Sequence, residues 1–204
     1  MNAEFRIDGK TLETPRLFLR PFDASDLDDF FEYASVAGVG EMAGWVHHAD
    51  KEESRRILGH FISEDKTFAV VFRETGKVIG SLGVEKYGRE EALTEFDGYR
   101  GREIGYVLAK PYWGRGLMAE ALKAVIDWLF TDRGLDFLTS GHFDFNRQSA
   151  RVQEKCGFRP YRKLVMDTNM GTQEPGVLTL LLNPQKNNRL VFSHPETLIW
   201  KEGF

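Results

Sequence analysis

Cysteine is almost missing from this sequence: Cys156 is the only one in 204 residues. A lone thiol makes no intrachain disulfide and no thiolate metal cage. A surplus of positive charge is missing too, since 27 Lys and Arg stand against 31 Asp and Glu, for a formal net charge of −4. That balance points away from nucleic acid as the main partner and suits a neutral or cationic one. No apolar run approaches membrane-spanning length. The opening residues, Met-Asn-Ala-Glu-Phe-Arg-Ile-Asp, hold no apolar signal core. Internal repeats and low-complexity stretches are absent as well. A soluble cytoplasmic protein, with no membrane and no nucleic-acid partner, is the expectation.

What the chain does have is material for one core. Hydrophobic residues make up 42% and charged residues 28%, with 16 Phe and 4 Trp, a globular composition of single-domain length. Arg16 to Arg20 reads as a first strand, closed by Pro21. Asp23 or Ser25 can cap the helix that follows, with Leu27, Phe30, Phe31 and Ala34 as its apolar stripe. Gly38 to Trp45 reads as a loop. Asp50 followed by Glu53 resembles a capping box, and Ile57, Leu58, Phe61 and Ile62 form the buried face of a second helix. Thr67 to Arg73 and Val78 to Val84 read as a hairpin around Glu74-Thr-Gly-Lys77. Further strands are expected over Ile104 to Ala109, Phe137 to Phe145, Phe158 to Met166 and Val177 to Leu182. A short helix from Asn146 to Cys156 stops at Gly157. The result is a mixed α/β fold over residues 1–184, with about seven strands and helices on both faces. The extension Gln185 to Phe204 carries Leu190, Val191, Phe192, Leu198, Ile199 and Trp200. That much apolar surface is expected to pack on its own domain or on a neighbouring subunit, which admits a homodimer.

The organising stretch is Glu103 to Phe130. A strand ends at Pro111, which has no N–H for a sheet ladder. Gly114 and Gly116 flank Arg115 in a tight loop, and from Leu117 apolar residues recur at helical spacing. A helix start leaves backbone N–H groups unpaired and carries a partial positive charge. Glycines let a ligand approach the backbone, so the corner can hold a phosphate or pyrophosphate. An ordinary strand–turn–helix corner would use the same glycines. The Gly-x4-Gly-Lys-Ser/Thr phosphate loop is absent. Gly114-x-Gly116-x-x-Ala119 fits a loose dinucleotide pattern. That pattern wants an acid about 20 residues on, at the end of the next strand, whereas Asp136 begins that strand and Asp144 lies too far along.

Trp113-Gly-Arg-Gly116-Leu-Met118 resembles the pyrophosphate-binding loop of the GCN5-related N-acetyltransferases, whose pattern is Gln/Arg-x-x-Gly-x-Gly/Ala. Trp113 and Met118 depart from it. Glu103 to Leu108, Tyr112 to Gly116 and Glu120 to Leu122 look like the ribosomal-protein N-terminal acetyltransferase branch. So do Glu13 to Pro21, Asp23 to Leu27, Asn146 to Ser149 and Glu154 to Phe158. The resemblance implies that the sheet splays between its fourth and fifth strands to admit acetyl-CoA. Amides of Gly114, Arg115, Gly116, Leu117, Met118 and Ala119 would then hold its pyrophosphate. The backbone of Val107, Leu108 and Ala109 would pair with its pantetheine arm, and Asn146 would reach the arm with its amide. Asn146 also reads as a plain helix cap, and Arg147, Arg151 and Lys155 read either as phosphate contacts or as solvated helix charge.

The resemblance implies direct acetyl transfer to a primary amine, either a protein N-terminal amine or a small amine. Glu103 is the candidate base, acting through water, and could equally be a salt-bridged carboxylate. A backbone N–H near Val107 or Leu108 is the candidate oxyanion donor. Many relatives carry a Tyr acid where this chain has Gln153. Ser149 is the candidate substitute, with Tyr106 second. His47 and His48 precede the second helix without an assigned role, and Trp45 and Phe22 read as core or cleft lining. Cys156 has no base nearby. His142 lacks a ligand partner at metal spacing, so no metal is expected.

Overall fold

In the computed structural model, residues 2–87 and 96–186 are described. The extension beyond Lys186 and part of the link between Tyr87 and Arg102 lie outside them, so the expected packing of the tail does too.

The strands are β1 (Leu12–Glu13), β2 (Leu17–Pro21), β3 (Thr67–Phe72), β4 (Val78–Glu85), β5 (Gly101–Leu108), β6 (Phe137–Phe143), β7 (Arg159–Asp167) and β8 (Gln173–Leu182). They form one sheet in the order β1-β2-β3-β4-β5-β6-β8-β7. Eight strands stand where about seven were expected; the extra one, β1, has two residues and pairs Leu12 with Leu19. Every neighbouring pair is antiparallel except β5 with β6.

The helices are α1 (Leu27–Ala34), α2 (Lys51–Glu64), α3 (Leu117–Thr131) and α4 (Arg147–Lys155). On one face, Phe30, Tyr33 and Leu58 of α1 and α2 pack with Ala69, Val71 and Val78 of the sheet. On the other, Leu117, Ala121, Leu122, Val125 and Leu129 of α3 pack with Leu19, Phe68, Val70, Ile104 and Leu138. This is the pattern expected of an amphipathic helix laid on a sheet. Ile62, expected inside, is 40% exposed; α2 buries Ser54 and Leu58 and leaves Ile62 on its outer side. Among the described residues, no helix is long and apolar enough to cross a membrane.

The sheet opens where the resemblance implied. Parallel pairing of β5 with β6 runs from Gly101/Phe137 to Glu103/Thr139 and stops. Ser140 Oγ donates to the Ile104 carbonyl at 2.8 Å, just past the last pair. Beyond that point the two strands border a cleft.

Candidate active site

The cleft has a volume of about 520 Å³ and runs from the start of α3 through the gap between β5 and β6. At one end Gly114 and Gly116 hold φ angles of +74° and +76°. A side chain is strained there, and a Cβ at Gly114 would meet nothing within 4 Å. Gly116 is the N-cap of α3 and no side chain caps that end. The Glu120 N–H bonds to the Gly116 carbonyl, which leaves the amides of Leu117, Met118 and Ala119 ahead of the helical ladder. All three residues border the cleft, while their side chains are buried in the fold.

The loop is braced from behind. Glu120 accepts from Thr14 Oγ1 at 2.6 Å and from the Arg16 guanidinium at 2.7 Å. Burial would raise this carboxyl, but those hydrogen bonds outweigh it and hold it below its usual range. Arg16 also donates to the Arg115 carbonyl at 3.0 Å. The Arg115 side chain turns away from the cleft, with its guanidinium over the rings of Phe72 and Tyr112 at 5.1 and 5.3 Å. Arg115 therefore lends its charge from the rear of the loop.

Backbone alternation decides which groups of β5 face the gap. The Ala109 N–H is bonded to the Ile79 carbonyl of β4, and Val107 opposes Ser81 in the same ladder. Odd-numbered residues thus direct their backbone toward β4. Even-numbered residues direct theirs toward β6, as the Ile104 carbonyl shows by accepting from Ser140. Trp113 Nε1 occupies the Leu108 carbonyl at 2.6 Å. The groups left facing the gap are the Tyr106 N–H and C=O and the Leu108 N–H. Sequence reasoning named Val107, Leu108 and Ala109; strand parity turns the backbone of Val107 and Ala109 toward β4 and that of Tyr106 and Leu108 toward the gap.

On the opposite wall, Asn146 is buried and caps α4, its Oδ1 accepting from the Ser149 N–H at 3.0 Å. Its Nδ2 donates to the Met42 carbonyl at 2.9 Å. The Gly44 carbonyl accepts from the Asn169 N–H at 2.8 Å. The segment after α1 is thereby pinned across the cleft to α4 and to the turn between β7 and β8. Glu41 anchors that segment, taking hydrogen bonds from the Gly38 amide and from His47 Nδ1. Burial works against its charge, but those bonds hold the carboxyl down at about 2. His48 is buried against Phe30 and Trp45, with Nδ1 2.7 Å from Ser54 Oγ; burial lowers its pKa. His47 and His48 thus serve the scaffold, and Phe22 and Trp45 belong to the core beneath α1 and α2.

Glu103, Tyr106 and Ser149 all line the cleft. The Tyr106 hydroxyl lies 2.8 Å from Ser149 Oγ. Burial pushes its phenol above the tyrosine range, against the hydrogen bond with Ser149, so it stays protonated. Cys156 is bonded through Sγ to the Ala119 carbonyl, and burial raises its thiol to about 11, which makes it a poor nucleophile. Arg151 and Lys155 border the cleft. Arg147 turns instead to a separate groove beside β7, along with Arg159, Arg162 and Lys163. Among the described residues no cluster of His, Cys, Asp and Glu is built to hold a metal ion.

The family model described as an acetyltransferase (GNAT) domain matches residues 16–159. The chain belongs to this family, and its enzyme class is that of an acyltransferase. It is 26% identical over 155 residues to an uncharacterized N-acetyltransferase p20 of Bacillus licheniformis, covering 74% of this chain and 83% of that protein. Its fold is similar to that of a GNAT-family acetyltransferase from Bacillus anthracis, with a TM-score of 0.74 at 22% identity, covering 85% of this chain and 99% of the other. It is also similar to the ribosomal-protein-S5-alanine acetyltransferase of Vibrio fischeri, with a TM-score of 0.66 at 22% identity, covering 86% and 97%.

Proposed function

We propose that this protein transfers the acetyl group of acetyl-CoA to a primary amine. The observation that carries the reading is the uncapped start of α3, where two left-handed glycines open a row of amides onto a cleft that continues between splayed strands. Those donors suit a diphosphate, and the Tyr106 backbone N–H and C=O suit the amide-bearing arm attached to it. Arg151 and Lys155 border the same cleft, and their charge suits further phosphate. Bound there, acetyl-CoA supplies a thioester whose acyl carbon is open to an amine.

The chain's own residues do the rest. Glu103 takes the proton of the incoming ammonium through water, so that a neutral nitrogen attacks. A terminal amine, with a pKa near ~8, needs this help less than a lysine near ~10.4. The Leu108 N–H donates to the developing oxyanion. Ser149, beside Tyr106, donates a hydrogen bond to the departing sulfur. Carboxylates of Glu103 and Asp167 border the cleft and favour a cationic acceptor. Kinship with the ribosomal-protein N-terminal branch rests on the motifs from Glu13 to Phe158 and on the Vibrio fischeri likeness, and it favours a protein N-terminal amine. We place the enzyme in the cytoplasm.

Thermal shift tests the cofactor: CoA raises Tm by mass action and NAD does not. Release of free CoA thiol with peptides beginning in Ala or Ser, and with small amines, tests the reaction. Binding of CoA without thiol release on any amine would instead mark a non-catalytic acyl-CoA sensor.

A further inference from the structure

Gln153 stands where many relatives carry a tyrosine acid, and it is 1% exposed. Its side chain is satisfied on every side. Nε2 lies 3.1 Å from the Gly141 carbonyl, 3.0 Å from Ser140 Oγ and 3.3 Å from Ser149 Oγ. Oε1 lies 2.7 Å from His142 Nδ1 and 3.1 Å from Thr179 Oγ1. The Gly141 carbonyl can only accept, which fixes the nitrogen on that side of the amide. Oε1 then requires His142 Nδ1 to carry a hydrogen. Ser140 Oγ gives its own hydrogen to the Ile104 carbonyl, so it accepts from Gln153; with one amide hydrogen on the Gly141 carbonyl, the second is shared between Ser140 Oγ and Ser149 Oγ in a three-centre bond. One side chain on α4 is thereby tied to β6, to β8 and, through Ser140, to β5 at the point where the sheet parts.

The effect on Ser149 follows. With Gln153 donating to Oγ, the serine hydrogen turns either to Tyr106, 2.8 Å away, or to a group in the cleft. We propose that Gln153 is a positioning residue of acetyl transfer: it holds the Ser149 hydroxyl so that it donates to the departing thiolate. The inference rests on the acetyltransferase reading above. In the step itself the amine lone pair forms the C–N bond and the C–S bond breaks with its electrons left on sulfur. One proton has left the ammonium through Glu103 before attack; the second, left on nitrogen as the C–N bond forms, passes to water by the same route, and the thiolate takes a proton from water. Ser149 ends the step unchanged. A thiol of pKa near ~8.5 leaves as an anion, so a hydrogen bond from a neutral hydroxyl suffices.

The test compares kcat and KM for wild type, Ser149→Ala, Gln153→Leu and the double variant, with CD spectra and Tm as checks on folding. Gln153→Leu is expected to lower kcat about 10-fold, the worth of one hydrogen bond to a charged group, with KM for acetyl-CoA within about two-fold of wild type. The double variant is expected to be no slower than Ser149→Ala alone, because Gln153 acts through that hydroxyl. Gln153→Glu keeps the volume, removes the N–H donors while ionised, and decides the matter if the leucine variant does not fold. Its activity relative to wild type is expected to recover as pH falls and the introduced carboxyl regains a hydrogen. Unchanged kcat in Gln153→Leu, multiplying losses in the double variant, a rise in KM that accounts for the loss, or a pH-independent deficit in Gln153→Glu would each overturn the assignment. A wild type that binds acetyl-CoA and acetylates no amine would bring down the function reading itself, a result distinct from all of these.

Discussion

Two helices of this fold begin in opposite ways. The first turn of α2 is closed: Asp50 Oδ1 accepts from the Glu53 N–H at 2.8 Å, and Glu53 Oε2 accepts from the Ala49 N–H at 2.8 Å. Just upstream, the His48 N–H is bonded to the Ala34 carbonyl. The first turn of α3 is open, with glycine at the cap and no side chain on its amides. A capping side chain satisfies donors that folding would otherwise leave exposed, worth ~1 kcal/mol. At α3 the chain forgoes that gain and turns the donors toward a cleft. The same helix-end physics stabilises the fold at α2 and leaves donors open to the cleft at α3, where the proposed function seats the diphosphate. The start of α4 is capped as well, and its cap, Asn146, borders the cleft.

Substitutions at the two ends should therefore separate binding from stability. The largest effect is expected from Gly116→Asp. Left-handed strain of ~1–2 kcal/mol and a carboxylate beside a diphosphate should together weaken CoA binding by about 100-fold or more, read by isothermal titration. Glu103→Gln should lower turnover at neutral pH by ~10²-fold and leave the CoA affinity of the open end unaltered; equal turnover would remove Glu103 from the base role. Asp50→Ala at the closed end should lower stability by ~1 kcal/mol in urea unfolding without touching CoA affinity. A change in that affinity would mean that the two ends are coupled. The smallest effect concerns His48, whose pKa burial holds below the ordinary 6.5. The unfolded chain then binds a proton that the folded one resists, so stability falls as pH drops below that ordinary value. Tm should decline between pH ~7.5 and ~5.5 in part through this group, and His48→Gln should flatten the decline.

The open end was legible in the sequence because its signal is local: two glycines, a proline that ends a strand, and helical spacing from Leu117. The splay was not visible in composition or periodicity and came with the family resemblance. Strand parity was hidden, since it depends on how Ile79 and Ser81 pair with β5; that is why the Tyr106 backbone was not expected to face the gap. The direction of the Arg115 side chain was hidden because a charge in a loop says nothing of where it points; its guanidinium lies over the ring of Phe72, far away in sequence. Gln153 was read only as a missing tyrosine. Its five partners come from α4, β6 and β8, a convergence no single segment announces. A Gln among the polar residues of a strongly amphipathic short helix, yet facing inward, was the one available hint.

The central claim is that the unpaired amides at the start of α3 grip the diphosphate of CoA. Titrating ¹⁵N-labelled protein with CoA and following backbone amide shifts tests it most directly. The Leu117, Met118 and Ala119 resonances should move furthest and saturate with the binding curve, while Lys51, Glu52 and Glu53 at the start of α2 stay in place. Saturable CoA binding that leaves the three α3 amides unmoved would contradict the account.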